Sequence, residues 1–96
     1  MRIFTVTLNP AFDLHMDVDG FVPYAENYAE EAIREAGGKG VNLSRALKNF
    51  GIESTAYIVA GRDNADSYVS ALLSQRLDLR IFYTQGKIRE NITVHT

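Results

Sequence analysis

The stretch that decides the fold is Ala36-Gly37-Gly38-Lys39-Gly40-Val41-Asn42, in which three glycines and a lysine come directly before a helical pattern. Neighbouring glycines let the backbone approach a ligand closely and expose its amide N–H groups. A helix that begins here points the positive end of its dipole at the same place, which favours an anionic or hydroxyl-rich ligand. We therefore predict an irregular binding loop, called the glycine loop (residues 36–42) below.

The side chains of the glycine loop indicate what it could bind. Lys39 adds a mobile positive charge, and Asn42 offers donors and an acceptor on the first helical turn. A Walker A phosphate loop needs glycine where this chain has Ile33 and serine or threonine where it has Gly40, so that motif is excluded. The glycine spacing also fails the dinucleotide-binding pattern. Spacing alone leaves a plain glycine turn open as the alternative.

Strands and helices alternate along the chain around this loop. Apolar patterns predict strands at residues 3–8, 14–18, 55–60, 79–83 and 91–96. Helices are predicted from Val41 to a stop at Gly51, and from residue 65 or 66 to residue 76. Their apolar faces are predicted to comprise Leu43, Ala46, Leu47 and Phe50 in the first helix and Val69, Leu72 and Leu73 in the second. This order is typical of an α/β layered domain.

Residues 29–36 are ambiguous from local sequence. They are good helix formers, and local propensity favours a helix. However, Ile33 is the one large apolar residue among them, so a helix here would have little to bury.

Length and composition restrict the function classes. The 96 residues make one small domain or part of a larger one. The chain ends at Thr96 inside a predicted strand, so we expect it to be the N-terminal part of a longer domain. A net charge of -2 gives no basic excess to hold a nucleic acid, and no apolar run approaches the roughly 20 residues of a membrane span. The lack of cysteine removes disulfides and thiolate chemistry and fits a cytoplasmic protein.

Three weaker signals for a calcium, zinc or nucleophilic site are not interpreted as functional. Residues 15–26 resemble a calcium loop, but His15 stands where aspartate is needed and Pro23 occupies a ligand position. His15 and His95 are eighty residues apart, so a zinc site is not expected. Ser44 has no histidine near it in sequence, and we interpret it as a serine on the helix surface.

Two ordered motifs carry a family resemblance. Thr7-Leu8-Asn9-Pro10-Ala11-Phe12-Asp13 and Gly37-Gly38-Lys39-Gly40-Val41-Asn42-Leu43-Ser44-Arg45 resemble the paired opening of the phosphofructokinase-B branch of the ribokinase superfamily. Within that branch the likeness is strongest to 1-phosphofructokinases and tagatose-6-phosphate kinases. The resemblance implies a ribokinase-like α/β sandwich with a small β-sheet lid, built from segments at about 14–36 and 88–96. It predicts lid strands within residues 17–22, 28–36 and 91–96, and therefore a strand where local propensity favours a helix.

The same resemblance implies roles for individual residues. Asp13 would accept hydrogen bonds from sugar hydroxyls, Gly37 and Gly38 would lie against the sugar, and Asn42 would bond another hydroxyl. Lys39 and Arg89 would hold the substrate phosphate. One departure concerns Tyr28, which stands where the family commonly has an arginine that assists phosphate binding. Either the other two cations suffice, or the substrate differs from fructose 1-phosphate-pathway sugars.

The resemblance also implies the parent reaction and its partners. The parent enzyme would transfer phosphate from ATP with magnesium to fructose 1-phosphate, fructose 6-phosphate or tagatose 6-phosphate, and would form a homodimer through the lid. No Gly-x-Gly-Asp motif occurs in these residues, so we expect neither a catalytic residue nor nucleotide or metal binding in this chain alone. The alternatives are a standalone module that binds a sugar phosphate without chemistry and a non-catalytic structural domain.

Overall fold

The computed structural model describes residues 2–96, in which two helices and two three-stranded sheets are formed. The elements in chain order are β1 (Phe4–Thr7), β2 (Ala11–Asp17), β3 (Glu31–Gly37), α1 (Lys39–Asn49), β4 (Thr55–Gly61), a 3-10 turn (Arg62–Asn64), α2 (Ala65–Ser74), β5 (Asp78–Thr84) and β6 (Arg89–His95). The chain is a mixed α/β structure, as the element order predicts.

The first sheet has the order β1-β4-β5, and all its strands are parallel. Burial alternates along β1 and β4, because α1 and α2 cover one face of the sheet. On the other face, the rings of Phe4, Tyr57 and Phe82 form a row, with centroid separations of 5.7 Å and 6.4 Å.

The second sheet has the order β3-β2-β6, with β2 antiparallel to β3 and parallel to β6. Each residue from Ala11 to Asp17 has a partner on both sides. Because side chains alternate between faces, Asp13 and His15 lie on one face, and Leu14 and Met16 lie on the other. We call these the Asp13 face and the Leu14 face.

One apolar core connects the two sheets. Ile58, Tyr68 and Leu72 are completely buried between the first sheet and the helices. Phe12 and Ile88 extend this cluster to the base of the second sheet. The rings of Phe12 and Tyr68 pack edge to face, with the centroids 5.5 Å apart. The second sheet is therefore anchored at its base and projects from the rest of the fold.

The second sheet confirms one strand prediction and corrects another. Residues 31–37 form β3, despite their helix propensity, because a full ladder with β2 outweighs a local preference. The predicted strand at residues 17–22 is wrong: β2 begins directly after Pro10 and ends at Asp17, and residues 18–30 contain no strand. The pairing with β3 and β6 sets these limits.

The predicted apolar face of α1 is wrong. Its buried residues are Gly40, Val41 and Ser44, whereas Leu43 is 52% exposed and Phe50 is 83% exposed. The reason is the close approach of α1 to β1, which only small side chains allow. The prediction that Ser44 lies on the surface is wrong for the same reason.

Ser44 instead joins a chain of hydroxyl groups. Its Oγ lies 2.6 Å from Oγ1 of Thr5 and accepts a hydrogen bond from Oγ of Ser54 at 2.9 Å. These bonds satisfy a polar group that is only 2% exposed.

The predicted stripe of α2 is correct only in part. Leu72 is buried, but Leu73 is 56% exposed, and Tyr68 takes the central buried position. No helix within residues 2–96 has the length and apolarity to span a bilayer.

Candidate functional site

The glycine loop lies at the carboxyl end of β1, where it joins the second sheet to α1. Thr7, the last residue of β1, accepts a hydrogen bond from the backbone N–H of Val41 at 2.9 Å through its Oγ1. A Cβ atom on Gly40 would lie 2.5 Å from Oγ1 of Thr7 and 2.7 Å from the carbonyl oxygen of Val6. Glycine is therefore required for the start of α1 to pack against β1.

Three consecutive carbonyl groups of the loop accept hydrogen bonds from the protein. These bonds run to Ala36 O from Arg45 Nη2 at 2.7 Å, to Gly37 O from Tyr68 Oη at 2.6 Å, and to Gly38 O from Asn42 N at 2.8 Å. Gly38 has a φ of 140°, which a residue with a Cβ rarely adopts. The loop is thus fixed in one conformation before any ligand binds.

Tyr68 is the buried donor in this arrangement. Burial raises the pKa of its phenol above the ordinary value, while the Arg45 guanidinium lowers that pKa and the Asp13 carboxylate raises it to smaller extents. The hydroxyl therefore keeps the proton that it donates to the Gly37 carbonyl.

Asp13 lies next to the glycine loop on β2. Its Oδ1 accepts a hydrogen bond from Nδ2 of Asn91 at 3.1 Å, and a Cβ on Gly37 would lie 2.6 Å from its Oδ2. The missing side chain of Gly37 therefore leaves the space that this carboxylate occupies. The side chain of Asp13 is partly exposed, so its remaining acceptor positions are accessible to a ligand.

Arg89 lies on the same face as Asp13, one row closer to the base of the sheet. The register pairs Ala11 with both Gly37 and Arg89, and it pairs Asp13 with both Glu35 and Asn91. This face therefore presents a guanidinium group, two carboxylates and an amide beside the glycine loop.

The remaining two candidate residues, Lys39 and Asn42, follow Gly38 in the first turn of α1. Lys39 is the first residue of the helix and is exposed. Asn42 is also exposed, and its Oδ1 accepts a hydrogen bond from Nη1 of Arg45 at 2.9 Å. Within residues 2–96, neither Lys39 nor Arg89 forms a side-chain hydrogen bond or ion pair, so both cations are available to a ligand.

Four of the six candidate residues are in the glycine loop, and Asp13 and Arg89 share the sheet face beside it. The sequence did not predict the residues that support them. Asn91 could have been found, since it is two residues after Arg89 and residues two apart on a strand share a face. The bonds of Arg45 and Tyr68 to the loop could not, because their acceptors there are backbone carbonyls that no sequence pattern reveals.

The other signals from the sequence lie outside this group. Tyr28 is 78% exposed in the segment after β2 and donates a hydrogen bond to Oε2 of Glu26 at 3.1 Å. His15 and His95 are stacked with their ring centroids 5.9 Å apart, so their separation in sequence was not a valid argument against a joint role. Among residues 2–96, however, no group of three or more histidine, aspartate or glutamate side chains is arranged to hold a metal ion.

Comparison with known protein families shows to which family this chain belongs. The model of the pfkB family carbohydrate kinases matches residues 6–96, which include the second sheet, the complete glycine loop and all of the first sheet except the first two residues of β1. The chain belongs to the pfkB carbohydrate kinase family.

Curated relatives and solved structures agree with this assignment. The 1-phosphofructokinase of Escherichia coli K12 is 34% identical over 95 residues, which cover 95% of this chain and 29% of that protein. The D-tagatose-1-phosphate kinase of Bacillus licheniformis is 30% identical over 94 residues, with coverages of 98% and 31%. Phosphofructokinase-2 from Escherichia coli in complex with fructose-6-phosphate superimposes with a TM-score of 0.90 at 28% identity, and the match covers 99% of this chain and 31% of that one.

The pfkB chain described here spans about 30% of the length of these relatives. Its similarity to the solved structure shows that the two sheets and two helices are the N-terminal part of the pfkB fold.

Proposed function

We propose that this chain forms the sugar-phosphate-binding part of an ATP-dependent carbohydrate kinase. The observation that carries the proposal is the meeting of Asp13, Gly37 and the start of α1 at one point. There Gly37 and Gly38, which have no side chains, lie between a partly exposed carboxylate and the positive end of a helix dipole. Such a surface is suited to a ligand with both hydroxyl groups and negative charge.

The hydroxyl-binding groups in this proposal are Asp13 and Asn42. A carboxylate accepts hydrogen bonds from sugar hydroxyls, and these bonds are stronger than neutral ones because the acceptor is ionised. Asn91 donates to one oxygen of Asp13 and so holds the carboxylate in place. Gly37 and Gly38 allow the sugar ring to approach the backbone.

The phosphate-binding groups are Lys39, within the glycine loop, and Arg89, on the sheet face beside it. A guanidinium group can bind two phosphate oxygens at once, whereas an ammonium group acts as a point charge. Tyr28 supplies no positive charge, and its hydroxyl is already bonded to Glu26. The proposal therefore assigns phosphate recognition in this chain to the two free cations.

The nucleotide has no assigned contact in this chain. A relative from Escherichia coli, 28% identical over 95 residues, is named ATP-dependent 6-phosphofructokinase isozyme 2. In the proposed reaction, ATP accompanied by magnesium would supply the phosphoryl group, and the residues described here would hold the acceptor sugar. No step is assigned to magnesium at this site.

Calorimetric titration of the full-length protein tests this function. Fructose 1-phosphate, fructose 6-phosphate, tagatose 6-phosphate and tagatose 1-phosphate are titrated, with unphosphorylated fructose as the control. We expect at least one sugar phosphate to bind about 100-fold more tightly than fructose, because two charge-assisted contacts are lost without the phosphate. Arg89→Ala should reduce this preference by about tenfold or more.

Two outcomes would contradict the function at different levels. Failure of every sugar phosphate to bind would refute the site. Binding without ATP-dependent release of ADP would refute the kinase and favour the standalone binding module.

We also propose that the Leu14 face of the second sheet forms a homodimer interface, as the family resemblance implies. Ile92 is 59% exposed and Val94 is 42% exposed on this face, next to Leu14 and Met16. At its base Arg34 stacks on the Phe12 ring at 3.7 Å and pairs with Glu90 at 3.4 Å. An exposed apolar surface with a charged border is typical of an interface. Phosphofructokinase-2 from Escherichia coli is described in a tetrameric inhibited form.

Light scattering on the full-length protein tests this interface. The wild-type protein should be a dimer at micromolar concentration, and Ile92→Asp should convert it to a monomer by placing a charge in the apolar contact. Thr93→Asp is the matched control, because it adds the same charge one residue further on, facing the opposite side. A monomeric wild-type protein would rule out this interface.

A further inference from the structure

The contact between Asn42 and Arg45 fixes which end of the Asn42 amide is available to a ligand. Nη1 of Arg45 donates to Oδ1 of Asn42 at 2.9 Å. A guanidinium group carries five N–H donors and no acceptor, so only the oxygen of the amide can face it. The NH2 group of Asn42 consequently points away from Arg45, with its donors open to another partner.

Arg45 is held in place by two further hydrogen bonds. Its Nε donates to Oε1 of Gln75 at 2.9 Å, at the end of α2, and its Nη2 donates to the carbonyl oxygen of Ala36 at 2.7 Å. Three acceptors on three parts of the chain define the plane of the guanidinium group. The orientation of Asn42 is therefore set by α2 and the base of the second sheet, and not by Asn42 itself.

We propose that Arg45 is a positioning residue of the sugar site, which holds the oxygen of Asn42 so that its NH2 group donates to the sugar hydroxyls. This inference rests on the proposed sugar-phosphate function. Each hydroxyl both donates and accepts, whereas the Asp13 carboxylate only accepts. The oriented amide supplies the donors that the carboxylate lacks. Without Arg45 the amide can rotate and present its oxygen, which would add a second acceptor beside Asp13.

A double-mutant cycle on ligand affinity tests the inference. The dissociation constant of the tightest-binding sugar phosphate is measured for the full-length wild-type protein, Arg45→Ala, Asn42→Ala and the double variant. We expect each single change to weaken binding about fivefold to tenfold, the effect of losing one hydrogen bond. The double variant should be no more than about twofold weaker than Asn42→Ala alone, because Arg45 acts through Asn42.

Two further variants separate positioning from general stability. Lys48→Ala is the matched control, since Lys48 lies on the same helix and donates to the Arg76 carbonyl oxygen at 2.9 Å without contacting Asn42. It should leave the affinity unchanged. Arg45→Met keeps the apolar stem and removes every donor, so it replaces Arg45→Ala if that variant does not fold.

The outcomes distinguish this inference from the function on which it rests. If the wild-type protein binds none of the sugar phosphates, the proposed function and this inference both fail. If it binds one, but Arg45→Ala leaves the affinity unchanged or weakens it equally with and without Asn42, only this inference fails.

Discussion

Replacement of Asp13 by alanine is expected to weaken binding of the sugar phosphate by about 100-fold. Hydrogen bonds to an ionised group contribute about 1.5–3 kcal/mol each, so the loss of one to two hydroxyl contacts accounts for this factor. Asp13→Asn keeps one acceptor oxygen and should have an intermediate affinity. Calorimetry on the full-length protein measures both effects.

The fold should tolerate this change. Asp13 is partly exposed, its carboxylate accepts a hydrogen bond from the exposed side chain of Asn91, and it faces the like charge of Glu35 across the ladder. The free energy of unfolding should therefore change by less than about 1 kcal/mol. Asp17→Ala is the matched control, because Asp17 lies on the same strand and face but away from the glycine loop. If Asp13→Ala bound the sugar phosphate with wild-type affinity, the assignment of the sugar site would be wrong.

Replacement of Gly40 by alanine is expected to destabilise the protein by about 2–3 kcal/mol, the cost of forcing an extra carbon into a packed contact. At an ordinary helical position the same change would stabilise by about 1 kcal/mol, because alanine is the better helix former. At Gly40 the new Cβ would lie 2.7 Å from the backbone oxygen of Val6, so α1 would have to move away from β1. A decrease in the free energy of unfolding therefore indicates that α1 packs closely against β1 at Gly40.

Urea unfolding of the full-length protein measures this effect. Asn49→Ala is the control, since Asn49 is an exposed residue of the same helix and should change the unfolding free energy by less than about 0.5 kcal/mol. An increase in stability for Gly40→Ala would contradict the packing of α1 described above.

The sequence was informative where the chemistry is local. The glycine loop, strand β1 and the existence of a helix after the loop follow from glycine spacing and apolar periodicity. The strand at residues 31–37 did not follow from local propensity, because it depends on pairing with β2, which is distant in sequence. Only the family resemblance predicted it.

The buried face of α1 shows what periodicity cannot provide. Leu43 and Phe50 follow a helical spacing, but both are exposed. Gly40 brings α1 so close to β1 that the helix face with small side chains packs there instead. The face with Val41 and Ser44 is small and partly polar, so no hydrophobic pattern identifies it. The hydrogen bonds of Arg45 and Tyr68 to the carbonyl oxygens of the glycine loop are visible only in three dimensions.

The most direct test of the sugar site is a crystal structure of the full-length protein with the sugar phosphate that binds most tightly. We predict a sugar hydroxyl within about 3 Å of a carboxylate oxygen of Asp13, the usual hydrogen-bond distance. The phosphate should contact Lys39 or Arg89, with the sugar ring against Gly37 and Gly38. A ligand bound elsewhere, or one at this loop with no hydroxyl in reach of Asp13, would contradict the account.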